Sequence, residues 1–176
     1  MCKYVFVGKA ASGKDWCQNL MVEHGYKPLK QYTTRPKRHY ETGKEYHFVS
    51  KSRIERMNDE NKFISLKVFK GWYYGFTLDD FKKCDVAILS VGNIMDLSQW
   101  HPDVLKLTTI IFLDIPMELR KKRLKKRYEG GNEDDDLVRR IVADENDFKN
   151  FNYFDIKFTN NDDAIKFINK IIQKKK

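Results

Sequence analysis

Residues 8–15, with the sequence Gly-Lys-Ala-Ala-Ser-Gly-Lys-Asp, have the residue types and spacing of a phosphate-binding loop. Glycines allow successive backbone N–H groups to point at phosphate oxygens, and Lys14 adds a positive charge for the terminal phosphates. An apolar run at 4–7 precedes this segment and a helix-like segment at 16–22 follows it. Strand, glycine-rich turn and helix is the context that such a loop requires. The sequence therefore predicts that a nucleoside triphosphate binds to Gly8, Ala10, Ala11, Ser12, Gly13, Lys14 and Asp15.

The last residue of this segment, which we call the phosphate loop, departs from the usual pattern. A Ser or Thr commonly follows the lysine and places its hydroxyl on Mg²⁺. Here the residue is Asp15. A carboxylate is a natural ligand of Mg²⁺ and can also cap a helix, so we expect Asp15 to contribute to a magnesium site, partly through water.

A second set of cations and hydroxyls follows within residues 31–76. Arg35 and Arg38 lie three residues apart in Thr-Thr-Arg-Pro-Lys-Arg, Tyr46 lies in Glu-Tyr-His-Phe-Val-Ser, and Tyr74 lies in Gly-Trp-Tyr-Tyr-Gly. Two arginines with nearby tyrosine hydroxyls are suited to gripping a phosphate group. The sequence thus predicts a second phosphate-bearing ligand besides the triphosphate.

Length and composition restrict the class of protein. A chain of 176 residues with 41% hydrophobic residues is large enough for one domain with its own core. The mean hydropathy is -0.68, and no apolar run approaches the length of a membrane span. The chain runs at once into its first strand, which predicts no signal peptide, and its cysteines lack metal-ligand spacing. We therefore expect a cytoplasmic protein, monomeric or homodimeric, with reduced thiols at Cys2, Cys17 and Cys84.

The formal net charge is +9, and much of the excess lies at 121–127 and 174–176. Such a charge is typical either of a nucleic-acid surface or of cations that face nucleotide phosphates. Leu119 and Leu124 lie among the basic residues at roughly helical spacing, which favours a surface helix whose end points at a nucleotide. Small-molecule nucleotides are therefore the expected partners, rather than nucleic acid or a membrane.

Hydrophobic patterning alternates between strands and helices along most of the chain. This alternation predicts an α/β fold with a mostly parallel central sheet flanked by helices. The predicted strands are 86–91, 109–114 and 154–159, and the predicted helices are 117–127, 136–148 and 163–173. Residues 31–76 break the alternation and predict a small β-rich insertion with short strands at 46–49 and 66–69. Residues 128–136, which are acidic and glycine-containing, predict a mobile loop of the kind that serves as a lid.

Taken in order, these segments closely resemble the guanylate kinase family, a group of P-loop nucleoside monophosphate kinases. The family shows a Thr-Thr-Arg-x-x-Arg segment, an Asp/Glu-Tyr-x-Phe-Val-Ser segment and a Phe-Ile…Gly-x-Tyr-Tyr-Gly segment, all of which this chain matches in order. The resemblance implies a P-loop NTPase fold and a single domain over 1–176. It divides that domain into a core (1–30, 77–120 and 145–176), an insertion that binds the nucleoside monophosphate (31–76) and a helical lid region (121–144).

The resemblance also implies an activity and residue roles. The activity would be ATP- and Mg²⁺-dependent phosphoryl transfer to a nucleoside monophosphate, with GMP or dGMP as the family default. Arg35, Arg38, Tyr46 and Tyr74 would clamp the acceptor phosphate. Lys14, Arg35 and Arg38 would act in catalysis together with the lid residues Arg127 and Arg140, while Arg123 would contact ATP. Asn160 matches a family segment near adenine, although 160–162 fit a helix N-cap, supplied by Asp162, equally well.

Base recognition is where the chain departs from the family. The family serine that contacts guanine is Gln31 here, the glutamate after Phe-Ile is Ser65, the serine after Tyr-Tyr-Gly is Phe76, and the family Asp-x-Asp becomes 90–92, beginning at Ser90. Loss of one charge-assisted contact costs about 1.5–3 kcal/mol. We therefore expect altered base choice, with Gln31 pairing through its amide and Phe76 stacking on a base or remodelling the pocket.

Two alternatives to a nucleoside monophosphate kinase remain from the sequence. The altered base positions and the positive charge also suit a kinase whose acceptor is a sugar phosphate or a nucleic-acid end. Guanylate-kinase-like domains also occur as non-catalytic interaction modules, but those typically lack the loop glycines and lysine that this chain keeps.

Overall fold

The computed structural model of the chain describes residues 2–38, 41–43, 45–128 and 134–175, and the side chains of these residues except 127, 128 and 134–140. Within this part of the chain the strands and helices follow one another in a fixed order. They are β1 (Tyr4–Val7), α1 (Lys14–Glu23), β2 (Gln31–Thr33), β3 (Tyr46–Phe48), α2 (Lys51–Asp59), β4 (Phe63–Phe69), β5 (Trp72–Thr77), α3 (Leu78–Lys83), β6 (Val86–Ile88), α4 (Val91–Trp100), α5 (Pro102–Lys106), β7 (Thr109–Leu113), α6 (Met117–Tyr128), α7 (Asp134–Phe148), β8 (Ile156–Phe158) and α8 (Asn161–Gln173).

A four-stranded parallel sheet forms the centre of the molecule, in the order β6-β1-β7-β8. Its strands bury both faces, because side chains alternate across a strand. Val5 and Phe112 point to one face, where they pack with residues of α4 and α5, while Phe6 and Ile111 point to the other face, against α1 and α8. The predicted α/β fold with a parallel sheet between helices is confirmed. The carboxyl ends of β1 and β6 lead directly into the segments that carry the predicted site.

The second sheet is smaller and mixed, in the order β3-β2-β5-β4. Strands β2 and β3 are parallel, whereas β5 runs antiparallel to both β2 and β4. All four strands lie within the predicted β-rich segment, apart from the last residue of β5. That segment also contains helix α2, which the sequence analysis missed. Ser50 caps α2 by accepting a hydrogen bond from the Arg53 N–H, and the helix buries Ile54 and Met57, which are three residues apart.

Several predicted boundaries were wrong because capping side chains end or begin elements earlier than apolar runs suggest. The predicted strand 86–91 ends at Ile88, since Ser90 forms a capping box with Asn93 and starts α4. Helix α8 begins at Asn161, since Asn160 and not Asp162 supplies the N-cap. Helix α6 extends to Tyr128 and α7 begins at Asp134, so the predicted loop 128–136 is shorter, and residues 129–133 lie outside the described residues. Among the described helices, none has the length and apolar character needed to span a membrane.

The α8 face that packs on the central sheet gives a direct test of the fold. Ile168 is fully buried, so we expect Ile168→Ala to lower the free energy of unfolding by about 2–5 kcal/mol, through lost burial and the cavity left behind. Urea unfolding followed by circular dichroism measures this change. The matched control is Asn169→Ala, an exposed position in the same helix, for which a change within about 0.5 kcal/mol is expected. Equal effects of the two substitutions would contradict this packing.

Candidate functional site

The phosphate loop lies at the carboxyl end of β1 and leads into α1. The Lys14 ammonium group folds back over the loop and donates hydrogen bonds to the carbonyl oxygens of Gly8 at 2.6 Å and Lys9 at 2.9 Å. Two backbone positions, Ala11 at φ 59° and Gly13 at φ 96°, adopt left-handed conformations that tighten the turn. Gly13 also permits a close approach, because a Cβ atom there would lie 2.7 Å from Asn161 Nδ2.

Two side chains from distant elements fix the far side of this loop. Asn161, the first residue of α8, donates from its amide to the Ser12 carbonyl oxygen at 2.9 Å. Arg123 of α6 donates to the Ala11 carbonyl oxygen at 3.1 Å and to Asn161 Oδ1 at 2.7 Å. The structure therefore brings Arg123 to the loop, as the prediction requires. Of the two adjacent asparagines it is Asn161 that contacts the loop, because the predicted Asn160 spends its side chain on the α8 cap.

Acidic residues of α7 contact the near side of the loop, which the sequence analysis missed. Asp144 accepts a hydrogen bond from the Ala10 N–H at 2.6 Å, and Glu145 pairs with the Lys9 ammonium group at 2.6 Å. Both acids also lie beside Arg120 of α6, whose side chain is only 2% exposed. A sequence signal for Arg120 existed, because it lies four residues before the buried Leu124 on the same helix face. These ion pairs hold the pKa of Glu145 below its ordinary value, chiefly through the hydrogen bond from Lys9.

A cavity of about 420 Å³ opens in front of the phosphate loop. Its walls come from the loop, from the hairpin of β4 and β5, from the end of β6 and from α7. The lining residues include Lys14, Gln31, Tyr74, Ser90, Asp144 and Phe148. A second cavity of about 610 Å³ lies beside it and is lined by residues that include Asp15, Arg38, Glu41 and Tyr46. Gln31 and Ile88 line both cavities, so the two spaces adjoin.

The predicted phosphate clamp assembles around Arg35. Its guanidinium group makes a bidentate ion pair with Glu41, with N···O distances of 3.0 and 2.6 Å, and lies 5.4 Å from the centre of the Tyr46 ring. The Tyr46 and Tyr74 rings meet edge to face at 6.1 Å. The structure therefore brings Arg35, Tyr46 and Tyr74 together. Burial raises the pKa of Tyr46, which keeps its hydroxyl protonated and able to donate a hydrogen bond.

Glu41 is a further residue that the sequence analysis missed. Besides pairing with Arg35, it accepts a hydrogen bond from the backbone N–H of Arg38 at 2.7 Å, and so organises both predicted clamp arginines. The hydrogen bond from Arg35 lowers the pKa of Glu41, and the same bond raises the pKa of Arg35. The only sequence signal was an acid three residues after Arg38.

Asp15 fits part of the predicted magnesium site. It lies in the first turn of α1, is exposed, and lines the second cavity directly after Lys14. A carboxylate oxygen suits Mg²⁺, but one carboxylate leaves most coordination positions to water and phosphate oxygens. Among the described residues there is no cluster of three or more His, Cys, Asp or Glu side chains that could hold a metal ion.

The residues predicted to recognise the acceptor base do not all reach the cavities. Gln31 does, and its amide donates to the Ile88 carbonyl oxygen at 3.4 Å. Ser90 lines the first cavity but spends its hydroxyl on the α4 capping box. Ser65 is 2% exposed, donates to Asp96 at 2.6 Å and accepts from the Asn93 amide at 2.8 Å.

Phe76 requires a correction. Its side chain is fully buried and packs against Phe81, with ring centres 5.8 Å apart. Stacking of Phe76 on an acceptor base is therefore inconsistent with this arrangement, since Phe76 lies opposite Ser65 in the β4–β5 ladder with the hydrophobic core around it. The predicted roles of Arg127 and Arg140 concern side chains outside the described ones.

Comparison with known proteins identifies the family. A model of the family described as guanylate kinase matches residues 1–175. The chain belongs to the guanylate kinase family. Over 90% of its length it is 25% identical to a guanylate kinase of Wolinella succinogenes and 29% identical to one of Aster yellows witches'-broom phytoplasma, covering 76% and 75% of those proteins.

A solved structure agrees with this assignment at the level of the fold. The crystal structure of guanylate kinase from Anaplasma phagocytophilum superimposes with a TM-score of 0.65 over 97% of this chain and 81% of that one, at 18% identity. A local likeness of 40% identity over 76 residues links the chain to MAGUK p55 subfamily member 7 of Danio rerio, of which it spans 12%. The architecture is thus that of a guanylate kinase P-loop NTPase.

The ion pair of Arg35 and Glu41 generates a prediction about pH. Because the pKa of Glu41 is lowered in the folded protein, its contribution to stability is present above its ordinary value of 4.5 and is lost as the pH falls through the folded-state pKa. We expect the thermal midpoint of the wild type to exceed that of Glu41→Gln at pH 7, and the gap to close towards pH 3.

The control for this experiment is Glu55→Gln. Glu55 pairs with Lys51 at 3.6 Å on an exposed face of α2, where ion pairs contribute little. A difference between the wild type and Glu41→Gln that stays constant from pH 7 to pH 3 would show that the carboxylate charge of Glu41 is not what stabilises the clamp.

Proposed function

We propose that this chain is an ATP-dependent nucleoside monophosphate kinase that transfers the γ-phosphoryl group of ATP to the phosphate of a nucleoside monophosphate. The observation that carries the proposal is the adjacency of two phosphate-binding arrangements. Lys14 and the phosphate loop border one cavity, the cavity lined by Arg38, Glu41 and Tyr46 adjoins it, and Arg35 packs on Tyr46. Membership of the guanylate kinase family supports the same activity.

On the donor side, the loop would hold the terminal phosphates of ATP through its backbone N–H groups. Lys14 already lies over the loop, so a phosphate oxygen there would compete with the carbonyl oxygens of Gly8 and Lys9 for the ammonium group. Transfer of a phosphoryl group needs positioning and neutralisation of charge more than covalent chemistry. When bound, Mg²⁺ would bridge phosphate oxygens and offset their charge, with Asp15 as the carboxylate nearest to the loop.

On the acceptor side, Arg35 would share its guanidinium group between Glu41 and the incoming phosphate. Five N–H donors in a planar fork make this sharing possible, since Glu41 occupies only one edge. Tyr46 and Tyr74 would add neutral hydroxyl donors. The acceptor nucleophile is a phosphate oxygen that is already ionised, so the reaction needs no protein base. Arg38, Arg127 and Arg140 are proposed to neutralise the transferring group as the lid closes.

The acceptor base is proposed to differ from a simple guanine choice. GMP and dGMP are the default for the family, but Ser65 is committed to Asp96 and Asn93, and Phe76 lies in the core. Gln31 remains the polar side chain at the junction of the two cavities, where its amide can pair with a base edge. An amide replaces a charged contact by neutral ones, so we expect selectivity between bases to be weaker by roughly tenfold to a hundredfold.

Replacing the loop lysine tests the donor site. Lys14→Ala removes the charge that faces the terminal phosphates, and we expect kcat/KM for ATP to fall by about a hundredfold or more while the circular dichroism spectrum is unchanged. Lys51→Ala is the control, because Lys51 is an exposed lysine on α2, and its kcat/KM is expected to stay within about twofold. Turnover of Lys14→Ala near that of the wild type would contradict the donor-site assignment.

An acceptor panel tests the reaction itself. ADP release with Mg²⁺ and ATP is measured for GMP, dGMP, AMP, CMP, UMP, dTMP and ribose 5-phosphate, with Arg38→Ala as a variant expected to lose activity towards every nucleotide. Preference for one nucleotide supports the proposal. Equal rates with all bases and with the sugar phosphate would favour a sugar-phosphate acceptor, and ATP binding without transfer to any acceptor would favour an interaction module.

A further inference from the structure

The strongest contact on the phosphate loop comes from the protein's own acid. Asp144 Oδ2 accepts a hydrogen bond of 2.6 Å from the Ala10 N–H, one of the backbone donors that curl around the space in front of the loop. The two residues are 134 positions apart in the chain, so this is a tertiary contact and not a turn. Asp144 also lines the cavity into which the loop opens.

An ion-pair network holds Asp144 in this position. The neighbouring Glu145 bridges the Lys9 ammonium group of the loop at 2.6 Å and Arg120 Nη2 at 2.8 Å. Arg120 is 2% exposed and is itself fixed by a hydrogen bond from Nε to the Ile115 carbonyl oxygen. The start of α6, the phosphate loop and α7 are therefore joined by charges that are largely shielded from water.

A carboxylate on a loop N–H group is chemically similar to a phosphate on the same group. Both present an anionic oxygen that makes a short, charge-assisted hydrogen bond. Two anions cannot share one N–H donor at this distance, and their charges repel strongly in a cleft that is partly shielded from solvent. Occupation by Asp144 and occupation by a phosphate are therefore mutually exclusive at Ala10.

We propose that Asp144 is an internal competitor for the phosphate loop, which a polyphosphate must displace from the Ala10 N–H in order to bind. The inference rests on the proposed function for the identity of the natural polyphosphate, ATP, but the competition itself concerns any anion that fits the loop. Asp144 and its neighbour Glu145 thereby make α7 responsive to whether the loop is filled.

Arg120 makes the displacement feasible. Its Nη1 atom is buried and has no hydrogen-bond partner within the described part of the chain, and it lies 3.7 Å from Asp144 Oδ2. A shift of about 1 Å would convert this distance into a hydrogen bond. Asp144 can therefore leave Ala10 without becoming an unpaired buried charge, which would be costly. The contact thus has two alternative partners for one carboxylate.

A purely structural role for Asp144 makes the opposite prediction about affinity. If Asp144 only supported the shape of the loop, its removal would disorder the loop and weaken anion binding. If it competes, its removal frees the Ala10 N–H and strengthens anion binding. The sign of the change in affinity therefore decides between the two roles.

The experiment is isothermal titration calorimetry of the full chain with two probes, inorganic tripolyphosphate and a non-hydrolysable ATP analogue with Mg²⁺. The variants are Asp144→Ala and, as the control for the loss of one negative charge near the cleft, Asp147→Ala on the same helix and the same cavity wall. We expect Asp144→Ala to bind both probes about tenfold more tightly than the wild type, equivalent to about 1.4 kcal/mol, and Asp147→Ala to change affinity by less than about threefold.

Each outcome bears on the inference. Tighter binding by Asp144→Ala alone supports competition. Unchanged or weaker binding, or an equal gain in Asp147→Ala, overturns it. Tripolyphosphate that binds more tightly to Asp144→Ala while the ATP analogue binds to no variant would keep the competition and reject the proposed donor. Failure of both probes to bind to the wild type and to Asp144→Ala would overturn the inference, because the loop would then not be an anion site.

Discussion

Convergent backbone N–H groups at the carboxyl end of β1 create a small region of positive potential, and the surrounding structure is organised to maintain and balance it. The carbonyl oxygens on the outside of the loop are satisfied by Asn161, Arg123 and Lys14, so that the N–H side is left to face the cavity. Left-handed backbone at Ala11 and Gly13 is the conformational cost of this arrangement. An anion must complete it, and the chain supplies one from α7.

The acceptor side follows the same logic with the signs reversed. Arg35 carries a permanent positive charge under two aromatic rings, and Glu41 balances that charge while fixing the plane of the guanidinium group. In both halves of the site, a charged group that is intended for a ligand is held by a counter-charge within the chain. Such pairing keeps the site ordered but subtracts from ligand affinity, because each ligand must share or replace the internal partner.

Sequence reasoning reached the parts of this molecule that depend on local pattern. The phosphate loop, the parallel strands β1 and β7 and the amphipathic helix α8 could be predicted, since each shows its chemistry or periodicity within a few residues. The short helix α2, the helix α4 and the roles of Glu41, Asp144 and Arg120 could not. Their significance comes from partners far away in the chain, as with Asp144 and Ala10, or from a capping side chain that outweighs an apolar run, as with Ser90. Phe76 shows the converse case, because a residue at a motif position was expected at the surface of a pocket and lies in the core.

The hydrogen bond between Ser65 and Asp96 has an evolutionary consequence. Ser65 is nearly inaccessible to solvent and its hydroxyl lies 2.6 Å from the Asp96 carboxylate, which also pairs with Lys67. A glutamate introduced at 65 would place two carboxylates in contact, at a cost of about 4 kcal/mol for charges 4 Å apart in a partly shielded site. Positions 65 and 96 are therefore epistatic. A lineage that has acquired both residues can regain an acid at 65 only after Asp96 changes, so the loss of that acid is locked in by a side chain on a different helix.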